Sequence, residues 1–315
     1  MAQHGQFSNQ APLISIIVAV YNDWALLDGC LHSLAQEKEI PFEVIIVDDG
    51  SKEPAPEYIQ CRSDCYPLTI LRQDHAGISV ARNRGVRSAK GSVLLFVDSD
   101  SRVQTNCLAA LASAIGDFPE HSYFQLRLVG DRSGAIGRAE DLRLKVLQDH
   151  LLQSNGRIQY LNTAGFAVRR GKLQANQGLF DPAVLRGEDT LLLATLIQRG
   201  DLPLFISQAT VQHTVPLSFV GCLRKDVRSA YLEGRAYDII ASKGVRIRMS
   251  NRERFGALWS TWKASRHDSI GRSAWFVLVT RQLLQRTTSL IYRLIGSSAK
   301  PHPEPSGASA GSALR

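Results

Sequence analysis

Three apolar runs in this chain each stop at a short polar cluster, and that repetition constrains the fold more than any other feature. Leu13–Val20 ends at Tyr21-Asn22-Asp23, Phe42–Val47 at Asp48-Asp49-Gly50-Ser51, and Val93–Val97 at Asp98-Ser99-Asp100. Runs of this length, rich in β-branched residues, predict strands buried on both faces of a parallel sheet. Between them Trp24–Glu37 carries Leu27, Leu31 and Leu34 at helical spacing, and a second helix opens at Gly77 and runs to about Ala89. Strands alternating with helices give right-handed βαβ units. Ligands of open α/β sheets collect beyond the carboxyl ends of the strands, so the three polar clusters are expected along one edge.

Asp98 and Asp100 lie two apart. In an extended backbone they share a face and converge on one cation, for which oxygen ligands favour Mg²⁺ or Mn²⁺. Downstream, the spacing predicts helices over Leu108–Ile115 and Leu142–Leu152 and a strand over Tyr123–Val129. A strand-like Leu161–Val168 leads to Arg169-Arg170. Gly187-Glu188-Asp189 opens a helix that ends at Arg199-Gly200, with acids in its first turn and glycine after its last, as the helix dipole and capping prefer. Phe205-Ile206 and Thr210–His213 read as the last short strands.

No apolar run approaches the roughly 18 residues a membrane-spanning helix needs, and Met1–Gln10 lacks the charged-then-apolar pattern of a secretory leader. The five cysteines are scattered and read as reduced thiols of a cytosolic protein. The formal charge of +8 is concentrated: between Arg246 and Arg293 there are ten Lys and Arg against Glu253 and Asp268. Over Trp275–Ile295, Phe276, Val279, Leu283, Leu290, Ile291 and Leu294 favour one side of a helix, and Arg281, Gln282, Gln285, Arg286, Ser289 and Arg293 the other. Such a helix fits the surface of an anionic bilayer, on the inner face of the cell membrane. The competing expectation is a helix packed on the catalytic domain. Nucleic acid ranks last, because the segment contains no binding module.

The ordered set Val20-Tyr21-Asn22, Asp48-Asp49-Gly50-Ser51, Ser79-Val-Ala-Arg82-Asn83-Arg84-Gly85, Asp98-Ser99-Asp100 and Gly187-Glu188-Asp189 resembles the family 2 glycosyltransferases of GT-A fold. The resemblance covers about residues 12–215 and implies an α/β domain, mainly parallel and flanked by helices. It is followed by a basic helical region over 216–297, with disordered ends at 1–11 and 298–315. It further implies metal-dependent, inverting transfer of a sugar from a nucleoside-diphosphate donor, UDP by expectation, to a hydroxyl of a saccharide or lipid-linked acceptor. Val20 and Tyr21 would receive the base, Asp49 would accept from its ring N–H, and Arg82 would lie near the diphosphate. Asp98 would hold ribose and metal, Asp100 the metal, and His213 the metal or diphosphate. Asp189 would be the general base, with Glu188 in support. The chain departs from the family at Thr195-Leu196 and Gly165-Phe166, on the acceptor side. Two alternatives are nucleotidyl transfer to a sugar phosphate, whose glycine-rich N-terminal loop is missing here, and a catalytically silent scaffold of the same fold.

Overall fold

The computed structural model describes residues 12–173, 178–214, 218–242, 244–245, 251–266 and 269–296. The expected disordered segments at 1–11 and 298–315 lie outside the described residues.

The first half is built as expected. β1 (Ile14–Val20), α1 (Trp24–Leu34), β2 (Phe42–Asp48), the short α2 (Glu57–Gln60), β3 (Leu68–Arg72), α3 (Ile78–Ser88) and β4 (Val93–Phe96) follow in order. The four strands pair in parallel, β2 with β1 and β3, and β1 also with β4. β1 and β2 are buried because both faces are covered. Ile16, Val18, Val44 and Ile46 meet Leu27 and Leu31 of α1, whereas Ile17, Ile45 and Val47 meet Ala81 of α3. Gly85 permits this contact: a Cβ there would stand 2.5 Å from Ile17 Cγ2, so α3 lies almost flush on β1.

The second half departs from a purely parallel sheet. It comprises β5 (Ser101–Val103), α4 (Cys107–Asp117), β6 (Tyr123–Gly130), α5 (Gly134–Leu151), β7 (Phe166–Arg169), α6 (Glu188–Arg199) and β8 (Leu204–His213). All eight strands form one sheet, ordered β3-β2-β1-β4-β7-β6-β8-β5. β7 runs antiparallel between β4 and β6, β8 is parallel to β6, and β5 is antiparallel to β8. The two short strands expected at 205–213 are one strand with a register shift opposite Leu126/Arg127. The residues before β7 form a helical turn over Thr163–Gly165 instead of a strand. Buried Gln125 fixes that turn, its amide donating to the Gly165 carbonyl at 3.0 Å and accepting from Asn162 N–H at 2.8 Å.

Four helices complete the described chain: α7 (Phe219–Leu232), α8 (Gly234–Ser242), α9 (Asn251–Ser265) and α10 (Ser269–Gly296). No helix among the described residues is long and apolar enough to cross a membrane. α10 lies against α5 and α7, with Ala274 and Leu278 buried on Ala139 and Leu142.

Candidate active site

The polar strand ends meet at one edge and are tied to one another. Asn22, with a left-handed φ of 61°, donates its N–H to Ser51 Oγ at 2.8 Å and accepts from Lys52 N–H at 2.8 Å. Asp49 N–H donates to the Val20 carbonyl at 2.9 Å. These bonds change the expected base pocket. Val20 is 2% exposed, so its side chain is closed to a ligand, while its carbonyl accepts the Asp49 N–H with one of its two lone pairs. A carboxylate offers about four acceptor sites. Asp49 accepts from Gln73 Nε2 and Ala76 N–H through Oδ1 and from Gly77 N–H through Oδ2, all within 2.9 Å, while His75 Nδ1 lies 3.0 Å from both Oδ2 and the Asp49 carbonyl. Asp49 therefore shapes the loop that starts α3. Tyr21 is open, 44% exposed, and stacks on His75 with ring centroids 4.3 Å apart.

One turn of α3 explains the Ser79–Asn83 motif. Ser79 Oγ donates to the Val184 carbonyl at 3.0 Å, and the Asn83 amide both donates to and accepts from the backbone of Phe180. Between them Arg82 is buried, one arm on Asp98 at 2.7 Å and the other on Glu188. The three side chains thus hold the β4 end and the approach to α6 in place together.

Asp98 and Asp100 do not share an extended face. They flank a turn in which Ser101 N–H donates to the Asp98 carbonyl at 3.0 Å. Asp98 is held by Arg82; Asp100 Oδ2 lies 3.2 Å from His213 Nε2 and 3.8 Å from Lys225 Nζ. Both Asp100 Oδ1 and His213 Nδ1 are buried without a hydrogen-bond partner. A buried acceptor left open beside a histidine fits a cation ligand, and Mg²⁺ or Mn²⁺ is held by one or two carboxylates with phosphates and water completing the shell. Asp98, Asp100 and His213, expected together on the metal, do not form such a group: among the described residues no cluster of three or more His, Cys, Asp or Glu is placed to hold a metal. Burial opposes charging His213, but the adjacent Asp100 and Glu140 outweigh it and raise its pKa.

Gly187 starts α6 with φ +83°, a conformation that favours glycine, and turns Glu188 and Asp189 toward the sheet edge. Glu188 is committed to Arg82. Asp189 Oδ1 accepts from Thr190 N–H at 2.6 Å and Thr190 Oγ1 at 3.2 Å, while Oδ2 makes no hydrogen bond among the described residues. Burial, followed by the neighbouring charge of Glu188, pushes the Asp189 pKa up to about 7. A carboxylate titrating near neutrality suits a general base.

These groups open into a cavity of about 560 Å³, whose floor includes Arg82, Asp98, Asp100, Glu188, Asp189 and His213. Its other wall comes from α7 and α10 and includes Lys225, Asp226, Arg281, Gln282 and Gln285. Part of the polar face of α10, expected to meet lipid, is turned inward at Arg281, Gln282 and Gln285, while Arg286 stays exposed. Arg281 forks onto Asp226 at 2.6 and 3.0 Å, and Gln285 donates to Asp226 at 3.0 Å. A buried carboxylate across the interface captures the guanidinium, which fits carboxylates bidentately. The apolar side stays outside: Phe276, Leu283, Leu290 and Ile291 are all more than half exposed. The side chain of Arg293 and all of Arg246 lie outside the described residues. The residues missed in the sequence are Glu140, Arg143, Lys225, Asp226 and Arg281. Glu140 and Arg143, three apart on α5, both sit against this cavity.

Known proteins resemble this chain in sequence and in fold. Relatives include the succinoglycan biosynthesis protein ExoO of Rhizobium meliloti, 26% identical over 61% of this chain and 58% of that protein. A PGL/p-HBAD biosynthesis glycosyltransferase of Mycobacterium bovis is 36% identical over 34% of this chain and 43% of its own. Several other curated relatives are matched over about a third or less of their length. Among solved structures, the mannosyltransferase PcManGT of Pyrobaculum calidifontis superposes with TM-score 0.59 at 16% identity, over 90% of this chain and 88% of that one. TarS of S. aureus does so with TM-score 0.52 at 19% identity, over 89% and 91%. Both likenesses establish the GT-A fold. The family model for Glycosyl transferase family 2 matches residues 15–175, just over half the length, and the chain belongs to that family.

Proposed function

We propose that this protein transfers a sugar from a nucleoside-diphosphate donor to an acceptor hydroxyl, with inversion at the anomeric carbon, in the making of a polysaccharide or glycolipid. The observation that carries this reading is the shared cavity, in which Asp189 keeps one carboxylate oxygen open while Asp98, Asp100 and His213 stand at the strand ends. Asp189 takes the proton of the acceptor hydroxyl as its oxygen bonds to the anomeric carbon. The bond from that carbon to the diphosphate oxygen breaks, and the nucleoside diphosphate leaves with the electron pair. One displacement inverts the centre. Glu188 holds Arg82, and Arg82 holds Asp98. With Asp98 engaged by Arg82, Asp100 and His213 would hold Mn²⁺ or Mg²⁺ with phosphate oxygens and water, and the metal when bound offsets the charge of the leaving diphosphate.

Relatives bind such donors: PcManGT was solved with GDP-Man and Mn²⁺, and TarS with UDP and with UDP-GlcNAc. Tyr21, stacked on His75, is the group open to a base. Asp49, whose Oδ2 accepts only from Gly77 N–H among the described residues, would take a ring N–H of the base, and uridine and guanosine donors are to be compared directly. The outward apolar stripe of α10, flanked by exposed Arg286, supports attachment to an anionic membrane surface at the cytoplasmic face. The test is a panel of UDP- and GDP-sugars with Mn²⁺, read by release of the nucleoside diphosphate. Release from at least one donor, abolished in Asp189→Asn, is expected. No binding of any nucleotide in calorimetry would overturn the reading.

A further inference from the structure

Glu140 is 5% exposed and lies on α5, a helix that carries none of the motifs of the site. A carboxylate so buried has to be compensated, and three cationic or ionisable groups from three elements face it. Arg143, one turn further along α5, donates to it at 2.6 and 3.0 Å. Arg281 of α10 places NH1 3.7 Å from Oε2, and His213 at the end of β8 places Nδ1 3.8 Å from Oε1. His213 then presents Nε2 to Asp100 at 3.2 Å. The line Arg281–Glu140–His213–Asp100 therefore runs from the last helix to the cavity floor.

Its end groups make this line more than a packing contact. His213 Nδ1 has no hydrogen-bond partner, and Glu140 is the carboxylate it faces. At 3.8 Å the Glu140 carboxylate makes no direct hydrogen bond to Nδ1, so it orients the ring by its charge, opposite the Asp100 carboxylate at Nε2. A histidine that binds a metal through one nitrogen commonly gives the other N–H to such a carboxylate, which sets tautomer and orientation. Arg281 restrains Glu140 from the side away from His213 and is itself anchored, bidentate, on Asp226 of α7. Lys225, also on α7 and 3.8 Å from Asp100, completes the set of charges around the histidine.

We infer that Glu140 is the positioning residue of His213 and that Arg281, by holding Glu140, makes the last helix part of the diphosphate side of the site. This rests on the glycosyltransfer reading above for the ligand that His213 meets. It gives α10 a task separate from any membrane contact: its inward face sets the geometry of a residue on the far side of the cavity.

The experiment measures UDP and GDP affinity by calorimetry, with Mn²⁺ and with EDTA, for wild type, Glu140→Gln, Arg281→Met, Arg281→Lys and Asp226→Asn. For whichever nucleotide binds, Glu140→Gln and Arg281→Met should lose about 10-fold or more of the gain that Mn²⁺ gives, and nothing of the affinity in EDTA. Arg281→Lys should recover part of it. Asp226→Asn, which loosens α7 from α10 but leaves Arg281 beside Glu140, should lower the melting temperature while keeping most of the Mn²⁺ gain. If Glu140→Gln and Arg281→Met melt earlier yet keep the full Mn²⁺ gain, the line is scaffolding and the inference is overturned. If wild type gains nothing from Mn²⁺, the metal reading fails, and the metal-free crystal structure of Arg281→Met decides alone. A His213 ring turned away from Asp100 supports positioning; a ring that stays in place overturns it.

Discussion

Arg82 and Glu188, 106 residues apart in sequence, form a buried ion pair that joins α3 to the start of α6. The second arm of Arg82 reaches Asp98, so one guanidinium fixes the spacing between the strand end and the helix that carries Asp189. Position and charge compensation are supplied by the same side chain.

Removing one partner of a buried pair leaves the other charge unsatisfied, at a cost of about 3–5 kcal/mol. Arg82→Gln should therefore lower the denaturation midpoint strongly and abolish turnover. Arg82→Lys keeps the charge but loses the fork that spans two carboxylates, so an intermediate stability with low activity is expected. Chemical denaturation beside a donor-turnover assay checks both, and a wild-type midpoint in Arg82→Gln would refute the role.

Asp189 sets a pH dependence. Its carboxyl is raised to about 7, and the base is the ionised form, so kcat should climb through about pH 7 and level off above it. Asp189→Asn should lose about 10² or more in kcat with donor affinity retained. Stability should move the other way. A carboxyl raised above its unfolded value of 3.8 contributes stability that is full below that value and is lost as pH rises through about 7. Asp189→Asn should therefore melt above wild type at pH 8, with the gap closing toward pH 5. Thermal melts across that range check the sign.

Much of this site was readable in the sequence because its parts are local. Apolar runs that end at Tyr21, Asp48 and Asp98 announce buried strands, and Gly187 ahead of two acids announces a helix start. What was not readable depends on contacts between distant segments. Asp98 and Asp100 resemble an extended pair, but the Ser101 N–H closes a turn between them. Asp49 reads as a free carboxylate, but Gln73, Ala76 and Gly77 fold back on it. The arginine side of α10 looks like a lipid-facing stripe because the sequence does not reveal that Asp226 and Glu140 are buried opposite it. β7 carries no mark of its direction, which is set by its neighbours.

Chelation should separate the diphosphate site from the base. EDTA should abolish turnover, and Mn²⁺ or Mg²⁺ should restore it. Asp100→Asn should weaken nucleoside-diphosphate binding only when metal is present, because the buried oxygen it loses has no protein partner. Full turnover of Asp100→Asn in EDTA would exclude this assignment.

The outer face of α10 gives a prediction about location. Leu283→Ser with Leu290→Ser removes half-exposed apolar groups, and flotation with anionic liposomes should then fall by several-fold. Arg286→Gln should reduce it further, at about 1 kcal/mol for a basic residue near the surface. Arg281→Gln should leave flotation unchanged, since that guanidinium is held by Asp226. Equal flotation of wild type with anionic and neutral liposomes would end the membrane assignment.

The clasp between α5, α7 and α10 also sets where this enzyme can be recombined with its relatives. A graft that exchanges everything after β8 appears clean on the sequence, since the family match stops well before it. In three dimensions such a cut separates Glu140 and Arg143 from Arg281, and leaves a donor helix to face a buried carboxylate it did not evolve against. Chimeras that carry α5 along with the C-terminal helices keep those charges together, and the natural unit of exchange is therefore discontinuous in the chain.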